Sequence, residues 1–316
     1  MAQTTLVRGR LADHPIWRRA LKADELAARL VLPVIVSASV EDRERVEGAG
    51  GLERLSITEL VREARRAWQH GLAGLLLFGA TDRKDETALL ASERDHVVPR
   101  AIRAVKQAVP DLAIATDVCV CAYTAHGQCV LFGNGGADVT GTLERLQEIA
   151  IRHAEAGADL LLPSGMLDGT VAALRQALLA DHPGVPIAAM AKLESSLYRS
   201  HRVAVGAVPI SERAVPLLST ESDGAARARV RRDLADGADA VVVKPGLPAL
   251  DLVHVLAAST DRPVISFHTA DEHAAFAAAS ETIDAPGAER EAIAASRRAG
   301  ASLVISYGPW SVTEAT

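Results

Sequence analysis

Along this chain, a helix with one apolar face repeatedly ends at a glycine, and a short, wholly apolar run follows within a few positions. The segments EARRAWQHG then LAGLLLFG, AIRHAEAG then ADLLLPS, RRDLADG then ADAVVVKP, and AASRRAG then ASLVISY all follow this pattern. Gly71, Gly157, Gly237 and Gly300 stand where a left-handed residue closes each helix. Apolar runs without alternation predict strands buried on both faces, as in a parallel sheet. Eight such runs occur, at about 31–36, 74–78, 112–116, 159–163, 187–190, 239–243, 263–267 and 302–306, with helical stretches between most of them. Eight parallel strands with intervening helices predict an α/β fold, a closed (β/α)8 barrel of the TIM type. An open, doubly wound sheet would carry a glycine-rich phosphate turn after an early strand, and the sequence has none.

Residues 1–30 precede the first strand and read as a short N-terminal arm, in which RRALKADELAARL forms an amphipathic helix against the barrel or a neighbouring subunit. Residues 31–316 then form the barrel domain. Two long connections, 124–140 and 196–225, interrupt the repeat. Loops of that length inside compact domains are usually functional.

Composition narrows the function. Apolar residues make up 49% of the 316 and charged ones 23%, the balance of a chain with a substantial core. A net charge of −6 excludes a basic nucleic-acid surface. No apolar run is long enough to span a bilayer, and MAQTTLVRGRLADHP lacks the apolar core of a secretory signal. A cytoplasmic protein is expected, with its three cysteines serving as thiols or ligands rather than disulfides.

The active site of such a barrel lies at the C-terminal ends of its strands. There the sequence places Asp117, Cys119 and Cys121 after strand three, Ser164 after strand four, Lys192 after five, Lys244 after six, His268 after seven and Tyr307 after eight. Only five lysines occur, and two of them end apolar strands, AAMAK and VVVK. A lysine enclosed by apolar groups beside a second ammonium loses its proton readily, and a neutral amine attacks a ketone to form an iminium. Tyr307 could donate a proton or bind a carboxylate. Cys119 and Cys121 form a Cys-x-Cys pair, and Cys129 follows after seven residues. A single buried cysteine is ordinarily a small hydrophobe, but this set suits Zn²⁺ with a fourth position left to water or substrate. His126, lying between them, reads equally as a ligand or as a structural residue.

These stretches resemble the porphobilinogen synthase (5-aminolevulinate dehydratase) family of the zinc-cysteine type. TDVCVCAYTAHGQC resembles its cysteine signature, PSGMLDG its Pro-Ser-Asp-Met-Met-Asp-Gly segment, and AAMAKLESSLYRSHR and VVVKPGLPALDL its two lysine regions, over about residues 30–308. The resemblance implies a cytoplasmic lyase of tetrapyrrole biosynthesis, usually an octamer. It joins two molecules of an amino-keto acid, 5-aminolevulinate, into a pyrrole. It further implies that Lys244 binds the first substrate and Lys192 the second, and that Cys119, Cys121 and Cys129 hold Zn²⁺. Asp117 and Ser164 would lie near the first substrate's amine and Tyr307 near its carboxylate. Arg202 would clamp the second carboxylate, with Arg213, Tyr198 and His201 as further substrate-binding candidates. A homo-oligomer, octamer or smaller, is implied as well; an allosteric Mg²⁺ is admitted without an assignable ligand set.

The chain departs from the family pattern at several pocket positions. Gly165 replaces the Asp of the Pro-Ser-Asp segment, Ala270 a serine, His201 a phenylalanine, Leu217-Leu218 a Tyr-Gln pair and Ala249 a tyrosine. Each hydrogen bond lost to a charged group costs about 1.5–3 kcal/mol. The alternatives to the family reaction are therefore the same chemistry on another amino ketone, or a non-catalytic barrel.

Overall fold

In the computed structural model, which describes residues 8–314, eight parallel strands close into the expected barrel. They are β1 (Leu30–Ser37), β2 (Gly74–Ala80), β3 (Ala113–Val118), β4 (Leu160–Pro163), β5 (Ala188–Lys192), β6 (Ala240–Lys244), β7 (Val264–Phe267) and β8 (Leu303–Ile305). Their spatial order is β4-β3-β2-β1-β8-β7-β6-β5, and a parallel bridge between Leu161 and Ile187 joins the two ends. Each strand coincides with one of the eight apolar runs. Burial on both faces, between the barrel interior and the outer helices, explains why none of them alternates. Gly71, Gly157, Gly237 and Gly300 all take positive φ, from 75° to 112°, where a Cβ would be strained.

The N-terminal segment differs from its expected form. The helix spans Pro15–Lys22, and a 3-10 turn at Ala27–Arg29 leads into β1. Pro15, preorganised for a first helical position, starts the helix earlier than its polar-apolar pattern suggests. This segment lies across the N-terminal end of the chain's own barrel. Fully buried Trp17 donates from Nε1 to the Asp159 carbonyl at 2.9 Å. The Arg10 amide donates to Asp239 Oδ1 at 3.1 Å. Asp159 and Asp239 in turn accept from the Ile114 and Ile187 amides at the feet of neighbouring strands. Residues 1–7 of the expected arm lie outside the described residues.

Two hairpins extend the barrel rim. One pairs Arg43–Arg45 with Glu53–Leu55, and Arg43 holds it to the helix Ile57–Gln69 through Glu59 at 2.6 Å and Glu63 at 2.8 Å. The other pairs Leu131–Gly133 with Gly136–Asp138. The connection 196–225 holds a helix, Arg199–Val205, and then a loop whose Leu218 pairs with Leu193 beside the end of β5.

Candidate active site

Strand alternation decides which rim residues face inward. Residues two apart share a face, so Leu162 with Ser164 and Met190 with Lys192 line one cavity, together with Asp117, Lys244, Phe78 and Phe267. His268 follows inward-facing Phe267 and must point out. Its Nε2 lies 2.7 Å from the Ser296 hydroxyl on the helix Ala285–Ala299, so it belongs to the outer layer and not to the converging rim groups.

Lys192 and Lys244 are direct partners in the β5–β6 register, which sets both amines over one end of the barrel. Lys244 Nζ lies 3.8 Å from the Phe267 ring centroid, and the Tyr198 ring stands 5.0 Å from Lys192 Nζ and 5.5 Å from Lys244 Nζ. Burial, reinforced by the Lys192 ammonium, pushes Lys244 down to about 7. The Tyr198 hydroxyl donates to the Leu193 carbonyl at 2.7 Å and lies 3.2 Å from that of Lys244. Its ring, rather than its hydroxyl, is what meets the two ammoniums.

Asp117 faces the same space. Burial pushes its carboxyl up to about 6, against the pull of the Ser164 hydroxyl and the two lysines. Its Oδ1 is buried without a hydrogen-bond partner, an acceptor turned into the cavity. Such an orphan has a desolvation cost that a ligand's N–H can relieve.

The three cysteines gather as expected. Their sulfurs all lie within 4.8 Å of one another, Cys119 and Cys121 at 3.3 Å, and all three are free thiols. Cys129 is held well below the usual thiol range because the Cys119 and Cys121 thiols donate to it, with Lys192 and Arg202 adding positive charge. Cys119 is correspondingly raised, first by its hydrogen bond with Cys121. Two sulfurs on one tetrahedral zinc would stand about 3.8 Å apart, given Zn–S of about 2.3 Å. The cluster therefore fits a thiophilic metal. His126 is not part of it: its Nδ1 accepts from the Gln128 amide at 3.0 Å. Among the described residues no other group of His, Cys, Asp and Glu has metal-binding geometry. Gly165 lies against the cluster, where an added Cβ would come within 3.3 Å of Cys129.

The helix Arg199–Val205 supplies Arg202 and His201. At its start, Asp271 accepts from the Ser200 amide at 3.1 Å and hydroxyl at 2.8 Å. At its end, Arg54 donates to the Ala204 carbonyl at 2.8 Å and Lys84 to that of Gly206. Arg202 and Arg213 line the cavity, and Arg202 stands 5.9 Å from the Tyr198 ring. His201 Nδ1 lies 3.1 Å from the Tyr307 hydroxyl, and its ring meets Phe78 edge-on at 4.4 Å. Tyr307 is buried, with its hydroxyl against the His201 ring.

Sequence reasoning missed Gln128. Its side-chain amide donates to the Glu212 carbonyl at 2.8 Å and accepts from the Ala214 amide at 3.3 Å, so it ties the loop carrying Arg213 to the cysteine loop. Nothing local in the sequence signals a contact across 86 positions. Phe78 and Phe267 were missed too, although strand alternation puts each on an inward face near the end of its strand.

The arrangement has known counterparts. Residues 7–315 match the family model described as delta-aminolevulinic acid dehydratase. The dehydratase of Escherichia coli K12 is 34% identical over 305 residues, with 94% of each chain covered. That of Synechococcus elongatus is 34% identical over 312 residues, also with 94% of each covered, and that of Macaca fascicularis 33% over 306, with 93% of each covered. Among solved structures, the Toxoplasma gondii porphobilinogen synthase in complex with its reaction product porphobilinogen superposes with a TM-score of 0.87 at 28% identity, covering 96% of this chain and 90% of that one. No helix among the described residues is long and apolar enough to cross a membrane. The paired lysines, the cysteine cluster, the barrel that holds them and these full-length matches agree: the chain belongs to the delta-aminolevulinic acid dehydratase family.

Proposed function

We propose that this chain is a lyase that condenses two molecules of 5-aminolevulinate into porphobilinogen with loss of two waters. The observation that carries this reading is the pairing of Lys192 with Lys244, side by side on adjacent strands and opening into one cavity with the Cys121 and Cys129 thiols. A single lysine can trap one ketone; two in register can hold two ketones close enough to be joined. Such proximity is itself a large part of the catalysis.

Lys244, whose amine is about half unprotonated at pH 7, attacks the ketone of the first substrate. The carbonyl oxygen leaves as water, and the iminium withdraws electrons from the adjacent carbon. Lys192 captures the second ketone in the same way. Loss of a proton beside that second iminium gives an enamine carbon, which attacks the iminium carbon at Lys244. The first substrate's amino group then attacks the carbon held by Lys192. Both lysines leave as free amines, and ring protons are lost to aromatise the product. The unpartnered Asp117 Oδ1 would accept a hydrogen bond from the first substrate's amine, with Ser164 beside it. Arg202 and Arg213 supply fixed positive charge for a carboxylate. Cys119, Cys121 and Cys129 would hold Zn²⁺, which when bound supplies Lewis-acid polarisation of a substrate oxygen.

Borohydride trapping with 5-aminolevulinate, followed by peptide mass spectrometry, tests the reading. A reduced adduct is expected on Lys244, with a second on Lys192 at higher substrate concentration. Folded, zinc-loaded protein that yields no adduct on either lysine would refute it.

A further inference from the structure

The β5–β6 ladder runs as far as the Lys192–Lys244 pair, but the β6–β7 ladder stops one residue earlier, at Val243 and Ser266. Lys244 and Phe267 are the next residues on those two strands, and their contact sets the amine 3.8 Å from the ring centroid. Pro245 then offers no N–H, so the first amides after Lys244 that can donate are those of Gly246 and Leu247. Both donate to one carboxylate, that of buried Glu272: Gly246 to Oε2 at 3.2 Å and Leu247 to Oε1 at 2.7 Å. The Thr269 amide, two residues past Phe267, donates to the same Oε2 at 2.5 Å. Three backbone amides on one ionised group make a strong tie.

Glu272 occupies this place for a local reason. It is the third residue of the helix Ala270–Ala278 and forms a capping box with Thr269. The Thr269 hydroxyl accepts from the Glu272 amide at 3.1 Å, and the carboxylate returns to the Thr269 amide. An ordinary box closes on its own helix, whereas here the same side chain reaches across to the turn after Lys244. Gly246 permits the close approach: an added Cβ would stand 2.3 Å from Cδ2 of His268, which is itself fixed by Ser296 at 2.7 Å. On the opposite side, the Lys244 carbonyl accepts from the Leu193 amide at 2.9 Å. The backbone around Lys244 is thus held from the β5 side by main chain and from the β7 side by one side chain. Lys192 has its own anchor, its carbonyl accepting from the Leu218 amide at 3.0 Å.

We propose that Glu272 is a positioning residue for the Lys244 amine: it takes over where the β6–β7 ladder ends and fixes one strand tip against the other, so that the amine is delivered over the Phe267 ring into the cavity. It acts through the backbone of Gly246, Leu247 and Thr269. This inference rests on the Schiff-base reading and adds to it the group that sets the first lysine in place.

The test measures, in zinc-loaded protein near pH 9, the rates at which hydroxyacetone and borohydride label Lys244 and Lys192, each followed by its own peptide. Burial holds Lys244 at about 7, and the Glu272 charge opposes that depression. The amine is therefore unprotonated near pH 9 with or without the carboxylate, and only its placement is compared. Glu272→Gln keeps the size but offers three amides a single neutral acceptor. It should slow Lys244 about tenfold and leave Lys192 within about twofold, since a misplacement of about 1 Å can cost about a hundredfold. Glu272→Asp keeps the charge but is one methylene shorter, and should show the same split at about fivefold; it decides the question if the Gln variant does not fold. Thr269→Ala removes the hydroxyl half of the cap and spares the carboxylate's three bonds, so both lysines should keep wild-type rates. Lys244 labelled at the wild-type rate in a folded Glu272 variant, equal slowing of the two lysines, or a Thr269→Ala variant as slow as Glu272→Gln would overturn the proposal and leave the Schiff-base reading intact. Wild-type protein labelled at neither lysine would overturn both.

Discussion

The reactivity of Lys244 has a measurable consequence in its pH dependence. An amine held at about 7 is half unprotonated at pH 7. At its ordinary value of 10.5 only roughly 0.03% would be, since the ratio falls tenfold with each pH unit. The cavity thus enlarges the reactive fraction at neutral pH roughly 1,500-fold. Because the protonated form cannot attack, capture of a ketone should rise about tenfold per pH unit below pH 7 and level off above it. Burial is the first cause of the depression and the Lys192 ammonium the second. Lys192→Met removes only the second, so the rising limb should move to higher pH, with labelling at pH 6 reduced and the plateau retained. The assay is brief exposure to hydroxyacetone, a ketone with no titrating group in range, then a borohydride quench between pH 5.5 and 9.5 with quantitation of the Lys244 peptide. A wild-type limb near pH 10, or a limb that Lys192→Met leaves in place, would refute the argument that desolvation and a neighbouring charge activate this amine.

Three further predictions follow from the geometry. Cys121→Ala should abolish stoichiometric zinc binding and leave the fold intact, since Cys121 is only partly buried and lines the cavity; a full zinc equivalent in the purified variant would contradict the ligand assignment. Gln128→Ala frees the loop of Arg213 from the cysteine loop, so KM for 5-aminolevulinate should rise severalfold with a smaller change in kcat, and steady-state kinetics showing the reverse split would count against that role. Trp17→Ala, which empties a fully buried site and strips a hydrogen bond from the Asp159 carbonyl, should cost about 3–5 kcal/mol in denaturant unfolding; a loss below about 1 kcal/mol would mean that the N-terminal segment does not brace the barrel.

The fold was legible in the sequence because a parallel barrel buries each strand on both faces, which writes eight uninterrupted apolar runs, four of them preceded by a helix that a left-handed glycine closes. The hairpins at Arg43–Leu55 and Leu131–Asp138 left no such trace: their strands are three residues long and largely exposed, so burial imposes no period on them. The start of the N-terminal helix was set by Pro15, while the sequence pattern drew attention to the later charged stretch. The lysines and cysteines could be read because their types are scarce and their spacing is chemical. His268 was misread because nearness to a strand end does not say which face a side chain takes; its neighbour Phe267 faces in, so it faces out. Gln128, and Tyr307 against His201, depend on contacts between distant loops, which local pattern does not encode.

The proposed reaction has the two lysines, acting together beside a metal that the three cysteines would hold, build a pyrrole. Its most direct test is to incubate the zinc-loaded protein with 5-aminolevulinate and identify the product by mass and by its colour reaction with an aromatic aldehyde. Porphobilinogen should accumulate with the wild-type protein and fall below detection with Lys244→Met, a variant that circular dichroism should show to be folded. Wild-type protein that is folded, zinc-loaded and labelled at Lys244 yet forms no pyrrole, or a Lys244→Met variant that still forms it, would contradict the claim.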